Sequence, residues 1–262
     1  MTIVLIAVLL YLVALGLLVR SVDKQARLGL RAWHAPAFAA ALLHGAYHLD
    51  AWREAGGADL HFFAALSLVS LGMALLTLAV GTRGRMAALG VVVFPLAAAA
   101  LVAYAAHGPR TAEALDWNLQ LHAWCALLAY ATLAIAALLA IMLWAQERAL
   151  RRREFHRWLR ALPPLTELET LLFRTIAVGF VLLTATLLSG LLFVQDFLAQ
   201  HLLHKTVLSA LSWLAFGALL FGRWRHGWRG PMAVRWTLVA MALLVLAFFG
   251  SKFVLELVLQ RT

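Results

Sequence analysis

Long apolar runs dominate the chain, and short polar segments carrying most of the charge separate them. A membrane-spanning helix needs about 20 mainly apolar residues. Eight runs approach that length: 2–19, 35–51, 60–80, 86–106, 119–146, 168–194, 205–222 and 232–258. Each is too long and too continuously apolar for the short alternating strands of a membrane barrel. Helices also satisfy their own backbone groups in lipid, so the pattern predicts eight helical spans. The second run is short and broken by His44 and His48, and the seventh is diluted by Lys205, Ser209 and Ser212. Met1 to Val19 holds no Lys or Arg and reads as a first membrane anchor rather than a cleaved leader.

Charge sets the orientation. All basic residues except Arg53, Arg110, Lys205, Lys252 and Arg261 fall in or beside loops 1–2, 3–4, 5–6 and 7–8. Those loops hold Arg20, Lys24, Arg27 and Arg31; Arg83 and Arg85; Arg148 to Arg160 with Arg174; and Arg223, Arg225, Arg229 and Arg235. The positive-inside rule then puts these four loops in the cytoplasm and both termini outside, on the periplasmic face. The segment from Arg148 to Arg160 reads as a helix extension on anionic lipid, or as a partner-docking site. Pro163-Pro164 stops it.

Composition agrees. The 262 residues are 64% hydrophobic and 13% charged, against about 45–50% and about 25% in soluble domains. That excludes a soluble enzyme, a disulfide scaffold and a disordered tail. A net charge of +10 suggests nucleic acid in a soluble protein; here topology accounts for it, and no nucleic-acid partner is expected. Cys125 is the sole cysteine and reads as a packing residue. The whole of 1–262 reads as one integral-membrane domain.

The chain has ten histidines. His34, His156 and His226 lie at the cytoplasmic edge. His44, His48, His61, His107, His122, His201 and His204 lie in the outer half or its loops. Ionisable groups inside a membrane are costly and point to function. His44 and His48, four apart, share a helix face, with His44 about 13 Å into its span at about 1.5 Å per residue. His122 begins the fifth span and His61 the third. A cofactor between helices could take a nitrogen from each of two spans, as haem does. The competing reading is an interfacial histidine bonded to water or a headgroup, which suits His107, His201 and His204. No Cys/His/carboxylate spacing suggests zinc. Trp33, Trp52, Trp117 and Trp228 fall at predicted interfaces. Trp124 and Trp213 fall inside spans, where they either pack or flank a macrocycle. Asp50, Glu54, Asp59, Glu113, Asp116 and Asp196 are in or beside outer loops, and only Glu256 approaches a span interior. That disfavours a proton-coupled transporter. No phosphate loop or nucleophile elbow is present in the sequence, and no enzyme is expected.

From Leu162 onward, specific residues carry a family resemblance. They are Leu162-Pro163-Pro164-Leu165, Glu167-Leu168-Glu169, Phe173-Arg174, Ala177-Val178-Gly179-Phe180, Leu188-Ser189-Gly190, Gly227-Trp228-Arg229-Gly230 and Phe249-Gly250-Ser251. Upstream, Leu121-His122 and Leu128-Ala129-Tyr130 belong with them. In order and spacing over residues 117–255 the chain resembles the cytochrome c assembly superfamily of membrane haem-handling proteins, the CcsA, CcmC and HemX types. Its short YpjD-like branch is the nearest in form. The resemblance implies that His122 matches an external haem-ligating histidine and His44 an intramembrane one. It also implies haem b as cofactor, an inner-membrane location, and other cytochrome maturation proteins as partners beside lipid. The family's tryptophan-rich external segment is absent: the stretch from Gln195 to Lys205 contains no tryptophan, although Lys205-Thr206 fits the lysine that follows that motif. No histidine follows His226 to supply the second external ligand.

Three functions therefore compete. The first is a membrane haem-handling protein of cytochrome c assembly, with His122, His44, His48 and His204 as candidate haem-binding residues and His122 and His44 as iron ligands. The second is a cofactor-less accessory or regulatory protein acting on a partner through its basic loops. The third, a transporter or channel, ranks last.

Overall fold

The computed structural model of the chain describes all residues except 25–31, 82–87, 111–114, 154–161, 194–199 and 259–262. The described residues form eight α-helices and no strand. They are α1 (Thr2–Lys24), α2 (His34–Ala55), α3 (Phe62–Gly81), α4 (Ala88–His107), α5 (Trp117–Arg151), α6 (Leu165–Phe193), α7 (Gln200–His226) and α8 (Pro231–Val245). Two π-helical segments, Leu246–Gly250 and Phe253–Val258, continue α8. Seven of the eight helices are long and apolar enough to cross a membrane, which makes this a polytopic membrane protein. The exception is α2, whose 22 residues are long enough but carry His44, His48, Asp50, Arg53 and Glu54.

The helices divide into two compact units. In the first, α1 packs on α2 and α4, and α3 packs on α2 and α4, closing a ring of four. Small residues permit close approach: Ala37, Ala40 and Ala41 of α2 and Ala64 and Ala65 of α3 are all buried. Without a hydrophobic drive between helices in lipid, such small-residue contacts supply the packing. Trp33 is fully buried, stacked on His34 and tilted against Phe94, and not at an exposed interface.

The second unit repeats this arrangement with α5 on α6 and α8, and α7 on α6 and α8. Gly179 of α6 faces α5 so closely that a Cβ there would meet Leu133 Cδ2 at 2.5 Å. Ser212 of α7 donates to the Ala240 carbonyl of α8 at 2.8 Å. At one end, residues that carry the family resemblance meet. Arg223 donates to Glu169 at 2.6 Å and to the Trp228 carbonyl at 3.2 Å, and lies over the Phe173 ring. Gly230, at φ +56°, turns the chain into α8. Trp213 donates to Thr184 at 2.8 Å and stacks on Phe180, so its indole is a packing element.

α5 ends at Arg151 and Arg153 adopts a left-handed φ of 56°, and the rest of the helix extension expected from Arg148 to Arg160 lies outside the described residues. His156, Arg157 and Arg160 lie outside the described residues, as do Arg27, Arg31, Arg83, Arg85, Glu113, Asp196 and Arg261. Pro164 leads into α6, its carbonyl accepting from the Glu167 and Leu168 backbone N–H groups.

Candidate functional site

His122 stands in the first two turns of α5, half-buried, and faces α6. Its Nδ1 lies 3.0 Å from Ser189 Oγ. The Ser189 hydroxyl proton is directed to the Thr186 carbonyl at 3.0 Å. Ser189 Oγ therefore accepts, which assigns the proton to His122 Nδ1 and leaves the Nε2 lone pair free. A histidine that ligates a metal is commonly fixed in this way, its other N–H held by a second group. Gly190 lets the ring lie close, since a Cβ there would sit 3.1 Å from His122 Cε1.

The ring opens on a cavity of about 380 Å³ within the second unit. That is in the range of about 300–1,000 Å³ typical of ligand pockets. The walls are mostly aliphatic, from Ala126 and Ala129 of α5, Leu183 and Leu187 of α6, and Leu244 of α8. Its polar groups are His122, Tyr130, Thr186, Lys205, Thr206 and Ser209. One wall is the first π-helical segment, through Ala247 and Phe248. Widening α8 to π geometry disturbs the regular carbonyl ladder, and the Tyr130 hydroxyl donates to the Leu244 carbonyl at 2.5 Å. The side-chain chemistry thus offers one open imidazole nitrogen, an apolar slot and a cationic edge.

His44 and His48 belong to the first unit and are almost wholly inaccessible. They share one partner, Ser67 of α3: His44 Nε2 lies 2.8 Å and His48 Nε2 2.9 Å from its hydroxyl. His44 Nδ1 meets the Tyr11 hydroxyl at 3.3 Å, so both its nitrogens are engaged. His48 stacks on Tyr104 at 4.6 Å, and its Nδ1 has no hydrogen-bond partner. Beside them, in the loop before α3, Asp59 is buried and accepts four hydrogen bonds. They come from the His61 backbone and Nδ1, the Tyr104 hydroxyl and the Arg110 backbone. Burial pushes the Asp59 carboxyl up, but the bonds from His61 and Arg110 and the His61 charge outweigh this and hold it below the usual carboxylate range. Asp59 reads from the sequence only as a loop residue, and its part in this cluster is hidden there because Tyr104 and Arg110 lie 45 and 51 residues away.

His204 is exposed in the first turns of α7, one residue before the cavity-lining Lys205. His107 bonds the Ala103 carbonyl and stacks on Phe63. Among the described residues no group of three or more His, Cys, Asp or Glu could hold a metal ion.

Comparison with known proteins decides the family. The cytochrome c assembly protein family model matches residues 32–259. The chain belongs to the cytochrome c assembly protein family. Among curated relatives, the inner membrane protein YpjD of Escherichia coli K12 is 35% identical over 137 residues, 52% of each chain. An uncharacterized 28.8 kDa protein of Azospirillum brasilense is 36% identical over 143 residues, 54% of this chain and 53% of its own. The cytochrome c biogenesis protein CcsA of Prochlorococcus marinus is 29% identical over 89 residues, 33% of this chain and 28% of its own. The chain thus spans about half the length, or less, of the curated relatives it matches. No solved structure matches it.

Proposed function

We propose that this family member is a haem-handling protein of the bacterial inner membrane that acts in cytochrome c assembly. Membership in the cytochrome c assembly family and the likeness to CcsA support the role. The inner-membrane location follows the likeness to YpjD, and the basic loops orient the chain with both termini outside. The observation that carries the ligand is His122: its Nδ1 proton is held by Ser189 and its Nε2 is free beside an apolar cavity. An imidazole nitrogen at the edge of an apolar slot suits an iron porphyrin, whose faces are apolar and whose metal takes axial nitrogen ligands.

Haem b is the proposed ligand, and it supplies the redox-active iron that cytochromes c require. His122 binds through Nε2, Ser189 and Gly190 orient the ring, and the aliphatic side chains of α5, α6 and α8 exclude water. His204 remains a candidate for a further contact in this unit, and His44 and His48 remain candidates for haem binding within the first unit. His44 coordinates iron only by giving up its bond to Tyr11 or Ser67, whereas His48 keeps Nδ1 open. The chain presents a holding site rather than a bond-forming one, and other cytochrome maturation proteins are its proposed partners.

The test is made in cells that lack the chain. Haem-stained c-type cytochromes should fall, return with the wild-type chain, and not return with His122→Ala at equal membrane abundance. Unchanged cytochromes in the deletion strain would overturn the proposed role.

A further inference from the structure

A second chemical feature lines the same cavity as the imidazole. Lys205 of α7 lines the wall between helices that are otherwise aliphatic there, with Thr206 and Ser209 beside it. Among the described residues its ammonium has no hydrogen bond or ion pair. The charged groups that act on it are Lys252 and Glu256. These two are bonded to each other at 3.0 Å, and Lys252 also lies over the Phe248 ring. The pair cancels, and one positive charge is left on a half-buried, mainly apolar wall. A charge in such surroundings is costly until an anion meets it. A ligand that is apolar over most of its surface and carboxylated at one edge satisfies both features at once.

We propose that Lys205 makes this cavity selective for tetrapyrroles with free carboxylates, by pairing its ammonium with a ligand carboxylate while Ser209 offers a hydroxyl donor. This rests on the haem reading of the same cavity but depends on a different residue and a different end of the ligand. His122 senses the metal, whereas Lys205 senses the acid. Metal-free protoporphyrin therefore separates the two. It has the carboxylates and lacks the iron.

The experiment titrates the full-length protein in mild detergent with metal-free protoporphyrin IX and with its dimethyl ester, following porphyrin fluorescence. The proteins are wild type, Lys205→Gln and Lys205→Arg. A charge-assisted hydrogen bond is worth about 1.5–3 kcal/mol, so Lys205→Gln should bind the free acid about 10–100-fold more weakly. Lys205→Arg should keep most of the affinity. The ester should bind weakly to wild type and be indifferent to Lys205→Gln. Removing a charge that has no partner should not unfold the protein, and thermal melts of each variant check this. Equal affinity of wild type and Lys205→Gln for the free acid, equal affinity of wild type for acid and ester, or no binding of the free acid by wild type would overturn the proposal. The haem reading fails separately, if haem gives no low-spin spectrum with the wild type.

Discussion

Ser189→Ala tests whether the His122 ring is held for coordination. The wild-type contact is 3.0 Å from Nδ1 to Oγ, and the serine proton is directed to Thr186. The substitution leaves the imidazole free to rotate, which turns Nε2 from the cavity, or to change tautomer, which protonates Nε2 and removes its lone pair. Loss of such a second contact usually costs about 10–100-fold in metal affinity. Here the Thr186 carbonyl is also within reach of the ring, so it retains part of the restraint. The expected loss is therefore near the low end, about 10-fold or about 1.4 kcal/mol. Overall stability should change little, because one neutral hydrogen bond contributes only about 1 kcal/mol net. Absorbance titration of the detergent-solubilised protein with haem gives the affinity, and a thermal melt gives the stability. Haem affinity within about twofold of wild type would refute the reasoning, since a 1.4 kcal/mol effect is tenfold.

Other consequences follow from the packing. Gly179→Leu places a side chain where even a Cβ would be 2.5 Å from Leu133; overpacking of this kind costs about 1–3 kcal/mol and should lower the melting temperature in detergent. Arg223→Ala breaks the bonds to Glu169 and Trp228. The pair is only partly shielded, so a loss of about 1–3 kcal/mol is expected, between the exposed and the buried cases, and limited proteolysis near Trp228 should detect it. His44→Ala strands the Tyr11 hydroxyl and one side of Ser67, costing about 1–3 kcal/mol; a melt reads that cost, and the haem spectrum of the same variant reads any ligand role. Asp59 has a depressed carboxyl pKa in the fold. Its contribution to stability is therefore complete above the ordinary Asp value of about 3.9 and is lost as pH falls through its folded value. Asp59→Asn should flatten that acid limb of the melting-temperature profile, and an unchanged limb would contradict the assignment.

The helices were legible because lipid permits so few backbone solutions. Runs of apolar residues longer than about 17 leave little but a spanning helix, and each expected run corresponds to a helix of the structure. His122 stands out as a candidate in the sequence from its place beside Leu121 and ahead of Leu128-Ala129-Tyr130. Its fixing by Ser189 was not, since that contact joins residues 67 apart. The sharing of Ser67 by His44 and His48 was equally hidden, because Ser67 looks like an ordinary small residue in α3. The π-helical wall had no signal beyond Phe249-Gly250-Ser251. The division into two four-helix units also escaped a hydropathy reading, which marks spans but not which spans pack together.

The central claim is that His122 ligates haem through Nε2. The most direct measurement is the reduced-minus-oxidised absorbance spectrum, with haem-to-protein ratio, of the protein purified in mild detergent from haem-replete cells, beside His122→Ala. The wild type should give a low-spin haem signal, and the variant should lose or convert it with the fold intact by melt. A colourless wild type that stays colourless after haem is added, or an identical spectrum in the variant, would contradict it.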